Sequence, residues 1–229
     1  MSPDPLAWLP ALLQTNDTLF PTGAYAHSLG FEEFARLTST RNEAGLRDFV
    51  IHHLLPALSA FELPYLRFAF GAPALAELCE IDFELSASKL ARETREASTQ
   101  IGRRRLAALR AVNEQPSYRE FADAISSDEA HGNHLVVCAL QARVEGFPLE
   151  AALAAYFYQT ASGVCGAALK LIRIGQEGCQ RVLRDALTRA AATIRDSLGV
   201  EREDAGYFDP LLEIASMRHE FANERLFIS

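Results

Sequence analysis

Apolar residues recur along this chain at steps of three and four, and almost nowhere at steps of two. That period belongs to helices with one buried face and argues against any sheet-based fold. From Val182 onward, Leu183, Leu187, Ala190, Ile194 and Leu198 hold the step until Gly199 supplies a stop. A second stripe, Leu90, Thr94, Ala97, Ile101, Ala108 and Val112, predicts a helix from about Ser88, its N-cap, to Val112. Further helices are expected over 6–14, 29–37, 43–54, 57–70, 74–85, 118–126, 134–145, 149–172 and 210–222. Pro56 should end or kink the helix near Leu54. Pro21-Thr22-Gly23, Gln115-Pro116-Ser117, His131-Gly132-Asn133 and Gly146-Phe147-Pro148 are turn chemistry. The 229 residues contain no repeat and no Pro- or Ser-rich linker, so one core suffices. The expected architecture is all-α: a single-domain helical bundle of about ten helices spanning residues 1–229.

One stretch tests that expectation. Residues 151–169 carry no charge and approach membrane-spanning length. They include Gln159, Thr160, Ser162, Gly163 and Gly166, and Glu150 rather than a basic cluster precedes them, so a helix buried inside the bundle is the better reading. Glycine in a helix costs about 1 kcal/mol against alanine. Gly163 and Gly166, with Ser162 and Ala167, therefore point to a second backbone close by, within the chain or across a dimer axis. The N-terminus has no basic run, and Pro10 breaks the apolar stretch behind it, unlike a secretory signal.

Four cysteines, at 79, 138, 165 and 179, form no C-x-x-C pair, and free thiols suit a reducing cytoplasm. Cys165 and Cys179 read as small apolar core residues. The formal net charge is −8, which makes nucleic acid a poor partner. The chain has no phosphate-binding G-x-x-x-x-G-K-[ST], no G-x-S-x-G and no dinucleotide fingerprint. His27 and Ser28 are sequence neighbours, which makes a nucleophile pair unfavourable. His52 and His53 diverge on a helix, and His131 with His134 frame a turn that is a helix start before it is a metal site. No metal ligands and no catalytic group are assigned. Glu32-Glu33 read as helix-start charges.

Charge is concentrated in one place. Lys89, Arg92, Arg95, Arg103, Arg104, Arg105 and Arg110 face only Glu93 and Glu96 in their own stretch. The simplest account pairs them with Glu77, Glu80, Asp82 and Glu84, or spreads them over a solvated face. The functional one docks Arg92, Arg95, Arg103 and Arg104 onto an acidic protein surface. RNA finds no interleaved aromatic platform there. Two further segments resist explanation as packing alone. Residues 17–32 carry Tyr25, His27 and Ser28 from a Pro/Gly loop into a helix, and the C-terminus ends Arg225-Leu226-Phe227-Ile228-Ser229. An apolar end must fold back or order against a partner.

Four motifs in order suggest a family. Leu12-Leu13-Gln14 with Phe20-Pro21-Thr22-Gly23-Ala24-Tyr25-Ala26-His27-Ser28 resembles the N-terminal signature of UreF-type urease accessory proteins. Arg92-Glu93-Thr94-Arg95-Glu96-Ala97-Ser98 with Gly102-Arg103-Arg104 resembles their central basic helix. Lys170-Leu171-Ile172-Arg173-Ile174-Gly175-Gln176 is similar to their K-L-x-x-x-G-Q segment, and Arg218-His219-Glu220 with residues 225–229 to their closing motif. Where the family commonly has Gly-Leu-Glu, this chain has Leu29-Gly30-Phe31-Glu32.

The resemblance implies a non-catalytic all-α scaffold that forms a homodimer in the cytoplasm. It would bind a UreD/UreH-type accessory protein and recruit a UreG-type GTPase to load nickel into apo-urease. No cofactor of its own is implied, since the assembled complex handles the nickel, and neither nucleic acid nor membrane is an expected partner. Residues 1–28 and 217–229 would be partner-binding segments. Tyr25, His27, Ser28, Gln176, Arg218, His219, Glu220, Arg225, Phe227 and Ser229 would build the partner surface, with Lys170 facing the GTPase. The tail would be unsettled alone and order on its partner. The competing readings are an enzyme using His27 or His219 as a base in a deep pocket, RNA binding through the arginine helix, and a carrier that holds nickel itself at His131 and His134.

Overall fold

The computed structural model describes residues 6–228. They form ten helices and no strand. In chain order these are α1 (Leu9–Asn16), α2 (Phe31–Leu37), α3 (Glu43–Gly71), α4 (Leu75–Ser88), α5 (Arg92–Val112), α6 (Pro116–Ser126), α7 (His134–Val144), α8 (Leu149–Leu171), α9 (Gln176–Leu198) and α10 (Pro210–His219). The all-α expectation holds.

Several boundaries differ from the sequence reading, each for a local reason. Pro56 does not end its helix. The turns Val50–Leu54 and Leu58–Glu62 widen to i→i+5 bonding ahead of Pro56 and Pro64, so the missing proline N–H groups fall where no α-bond is needed and α3 runs through. By length and apolarity α3 could cross a membrane, but over half of its apolar window is buried inside the bundle. Leu29 and Gly30 both have positive φ, so α2 begins only at Phe31. Ser88 closes α4 rather than capping α5. Helix α9 starts at Gln176, six residues before its apolar stripe declares itself.

The core lies between α3, α7, α8 and α9. Phe31 and Phe34 of α2 meet Phe49 of α3 edge-on, with ring centroids 5.0 and 4.8 Å apart. Cys165 and Cys179 are buried, as expected, and the Cys179 thiol donates to the Cys165 carbonyl at 3.2 Å. Burial pushes the Cys165 pKa up to about 12, which leaves that thiol protonated and inert. Buried Asp82 of α4 accepts from the Gly132 and Asn133 N–H groups at 2.8 Å each, and so pins the loop that opens α7. Among the described residues nothing packs against Gly163 or Gly166: a Cβ at either would meet open space. Within the chain a close backbone approach is made by Gly102 of α5, which rests on that pinned loop.

His134 opens α7. Its Nε2 lies 3.1 Å from Gln159 Oε1. Burial, then the Arg105 guanidinium, hold its pKa at about 3, so the ring stays neutral in the fold. The unfolded chain takes up this proton below about pH 6.5 while the folded chain does not, so stability is complete above that pH and falls on acidification towards pH 3. The slope reaches about 1.4 kcal/mol per pH unit. Between pH 7 and pH 5, the parent chain should lose about 2 kcal/mol more than His134→Gln in urea unfolding. Equal losses would contradict this account.

Candidate functional site

The two segments singled out at the chain ends meet. After α10 the tail turns back across the start of α2, and the Ile228 N–H donates to the Ala26 carbonyl at 2.8 Å. Ala26 belongs to a short 3₁₀ turn, Ala24–Ala26, entered through Gly23 at φ +75°. A side chain at Gly23 would strike the Arg104 guanidinium, so this glycine admits the basic helix onto the N-terminal loop. Burial, then the charge of Arg104, lower the His27 pKa and keep that ring neutral. The Ser28 hydroxyl accepts the Glu32 N–H at 3.3 Å, inside α2's first turn.

Beneath the tail lies a buried ionic frame. His219, the last residue of α10, is 1% exposed. Its Nδ1 is 2.7 Å from Glu93 of α5 and its Nε2 is 3.2 Å from Glu32 of α2. Arg225 donates to the other Glu93 oxygen at 2.6 Å. The Leu226 and Phe227 N–H groups donate to Glu32 at 3.0 and 3.1 Å. Arg36 pairs with Glu32 at 2.9 Å and reaches the Glu224 carbonyl, while Arg218 pairs with Glu33 at 3.3 Å. Phe227 is 5% exposed, with the Lys170 ammonium 5.3 Å above its ring. A groove of about 380 Å³ remains between α5 and the tail, lined by Glu93, Glu96, Gln100, Arg225 and Phe227.

The expected site residues thus divide. Tyr25, 77% exposed, and Lys170 and Gln176 face solvent. His27, Ser28, His219 and Phe227 are buried and hold the segments in place, so in this conformation they offer a partner no direct contact. Arg218, Glu220 and Arg225 are ion-paired within the chain, Glu220 with Arg92, whose hydrogen bond lowers the Glu220 pKa. Ser229 lies outside the described residues. The tail is folded back on its own chain, one of the two courses open to an apolar end, whereas the family resemblance implied a tail unsettled until it meets a partner. The reason is the set of acidic acceptors on α2 and α5.

The arginine helix is also corrected. Its cations do not pair with the acidic run of α4: Glu77 and Glu84 bind Arg202, and Asp82 binds the α7 loop. Arg92 pairs with Glu96 and Glu220, and Arg95 donates to the Lys89 and Leu90 carbonyls. Arg103 donates to the His131 carbonyl at 2.9 Å, and Arg104 lies on Gly23. Buried Arg105 joins Gln141 to the Thr15 carbonyl at 2.7 and 3.0 Å. Arg105 is buried, whereas Arg92, Arg103 and Arg104 keep exposed surface beside these contacts. His131 meets Phe83 edge-on, with ring centroids 4.6 Å apart, and among the described residues no group of three His, Cys, Asp or Glu is arranged to hold a metal. The grooves at the tail and beside α1 are lined without a histidine.

Reasoning from sequence missed Glu32, Glu33, Glu93 and Arg36. Adjacent acids at a helix start look like dipole partners, and only the fold shows them facing α10.

The family model described as UreF matches residues 40–187. The chain belongs to the UreF family of urease accessory proteins. It is 35% identical over 219 residues to the urease accessory protein UreF of Arthrobacter sp. (strain FB24), covering 96% of each chain. It is 36% identical over 219 residues to that of Paenarthrobacter aurescens (strain TC1), covering 96% of this chain and 97% of the other. With UreF of Actinobacillus pleuropneumoniae serotype 3 (strain JL03) it shares 32% over 224 residues, 96% of this chain and 99% of the relative. The UreF match ends at residue 187, before the tail, so the ionic frame joins the matched region, through Glu93, to segments outside it on both sides.

Proposed function

We propose that this chain is a non-catalytic scaffold of urease maturation in the cytoplasm. It binds a UreD/UreH-type accessory protein, and the pair recruits a UreG-type GTPase to load nickel, as cargo, into apo-urease. The observation that carries this reading is the surface at the joined chain ends. Tyr25, Leu226 and Ile228 are 77%, 66% and 50% exposed, yet the backbone beneath them is fixed by buried ionic groups. A chain that spends a buried ionic frame on holding apolar side chains outward is built for a partner.

Lys170 and Gln176 bracket the α8–α9 loop close to that surface and form the proposed GTPase-facing edge. A homodimer is supported by the outer face of α8. Among the described residues nothing approaches Gly163 or Gly166, and exposed Tyr158 and Leu169 flank them, so a second copy supplies the reason for glycine there. Nickel needs no resident site on this chain.

The test is urease itself. Urease co-expressed with its other accessory proteins but without this chain should carry little nickel. The parent chain should restore it, and Tyr25→Ser/Leu226→Ser should not. Full nickel content without the chain would defeat the proposal.

A further inference from the structure

The C-terminal tail is held by its backbone more than by its side chains. Leu226 and Ile228 point outward, and of the three residues 226–228 only Phe227 is buried. Apolar packing alone therefore anchors one residue in three. The rest of the hold is polar, and it converges on one group. The Glu32 carboxylate accepts the Leu226 and Phe227 N–H groups, faces His219 Nε2 at 3.2 Å and pairs with Arg36 at 2.9 Å. These donors come from α2, from α10 and from the tail itself. The Glu32 side chain has no exposed surface. A carboxylate so placed needs its donors, and hydrogen bonds to a charged acceptor are roughly twice as strong as neutral ones.

We infer, on the strength of the docking role proposed for the tail, that Glu32 is a positioning residue that sets the tail's register. Every residue but proline offers an N–H, so side-chain identity alone does not fix which pair docks. The chain bends at Leu226 and Phe227, which brings both N–H groups onto one carboxylate, so a slip of one residue would put a different side chain in the buried place and different ones outside. Two N–H groups fixed on the two Glu32 oxygens send Leu226 and Ile228 outward and put Phe227 beneath Lys170. The neighbouring acids serve other partners: Glu33 takes Arg218 and Arg36, and Glu93 takes Arg225 and the other His219 nitrogen. Glu32 thereby ties the proposed accessory-protein surface to the proposed GTPase edge.

The test reads the tail directly. Glu32→Gln keeps the size of the side chain, removes its charge and replaces one acceptor with an NH₂ group. Amide hydrogen exchange at Leu226 and Phe227 should accelerate at least about tenfold. Exchange within α7 should be unchanged, and co-purification with the UreD/UreH-type protein should fall in parallel. Leu226→Pro removes one donor from the other side and leaves α2 intact, so Phe227 exchange should accelerate there too. Should Glu32→Gln loosen the whole bundle, Leu226→Pro alone decides. Unchanged Phe227 exchange in both variants overturns the role of Glu32. Faster exchange with undiminished co-purification upholds Glu32 and removes the docking role of the tail.

Discussion

Gly102→Ala should cost this chain about 3–5 kcal/mol, enough to leave much of it unfolded or insoluble at ordinary growth temperatures. A Cβ at that position would stand 2.1 Å from the Gly132 carbonyl oxygen and 2.7 Å from backbone atoms of Asn133 and His134. No flexible side-chain end is there to move aside. The obstructing loop cannot withdraw cheaply, because Asp82 grips its N–H groups and the Asn133 side chain from α4. Retreat of the loop would leave a buried carboxylate without donors, which is the expensive way to lose a hydrogen bond. Gly163→Ala is the control, since its Cβ meets none of the described residues. Thermal unfolding by circular dichroism should show Gly102→Ala unfolded or far less stable, with Gly163→Ala still folded. A Gly102→Ala midpoint within a degree or two of the parent would refute this reading of the α5–α7 contact.

The same pair of glycines shows what the sequence could and could not disclose. Helix propensity penalises Gly102, Gly163 and Gly166 alike. The apolar setting of the latter two drew attention to them, while Gly102 stood inconspicuously beside three arginines. Its reason lies in a loop thirty residues on, and no local pattern carries that distance. Helices were legible because their period is local. Boundaries failed where a backbone device intervened, as at the widened turns before Pro56 and Pro64.

The site was half legible. Motif resemblance found both chain ends, and composition marked the apolar tail. Neither could tell that Glu32 and Glu93 face His219, because 187 and 126 residues separate those partners from it. An acidic pair at a helix start looks the same whether it meets water or a folded-back tail. The arginine helix misled for a related reason: the acidic run of α4 just before it binds Arg202 and the α7 loop, not its arginines. Carbonyl acceptors, which satisfy Arg95 and Arg103, leave no mark in a side-chain pattern at all.

Removal of residues 224–229 should separate docking from folding. The tail contributes one buried side chain among the described residues, Phe227, to the rest of the structure. Burying a phenylalanine is worth about 1.5–3 kcal/mol, and the part-exposed Arg225–Glu93 pair adds little. Glu32 and His219 would lose part of their cover, but water could then reach them and replace the missing donors. The helices and their core should therefore survive, with a loss of stability of about 2–3 kcal/mol. Association is expected to behave differently. The deletion removes Leu226 and Ile228 and frees the Ala26 carbonyl that braces Tyr25's turn, so binding to the UreD/UreH-type protein should weaken by more than about 100-fold. In co-purification the truncated chain should appear alone, with the helical dichroism of the parent, and urease from such cells should be poor in nickel. Gly102→Ala would also lose the partner, but only by losing the helices, so spectroscopy on the same samples distinguishes a missing surface from a missing fold. If the truncated chain still brought down the accessory protein at parental yield, the docking site would have to be elsewhere on the bundle, and the ionic frame would be a clasp for the chain end alone.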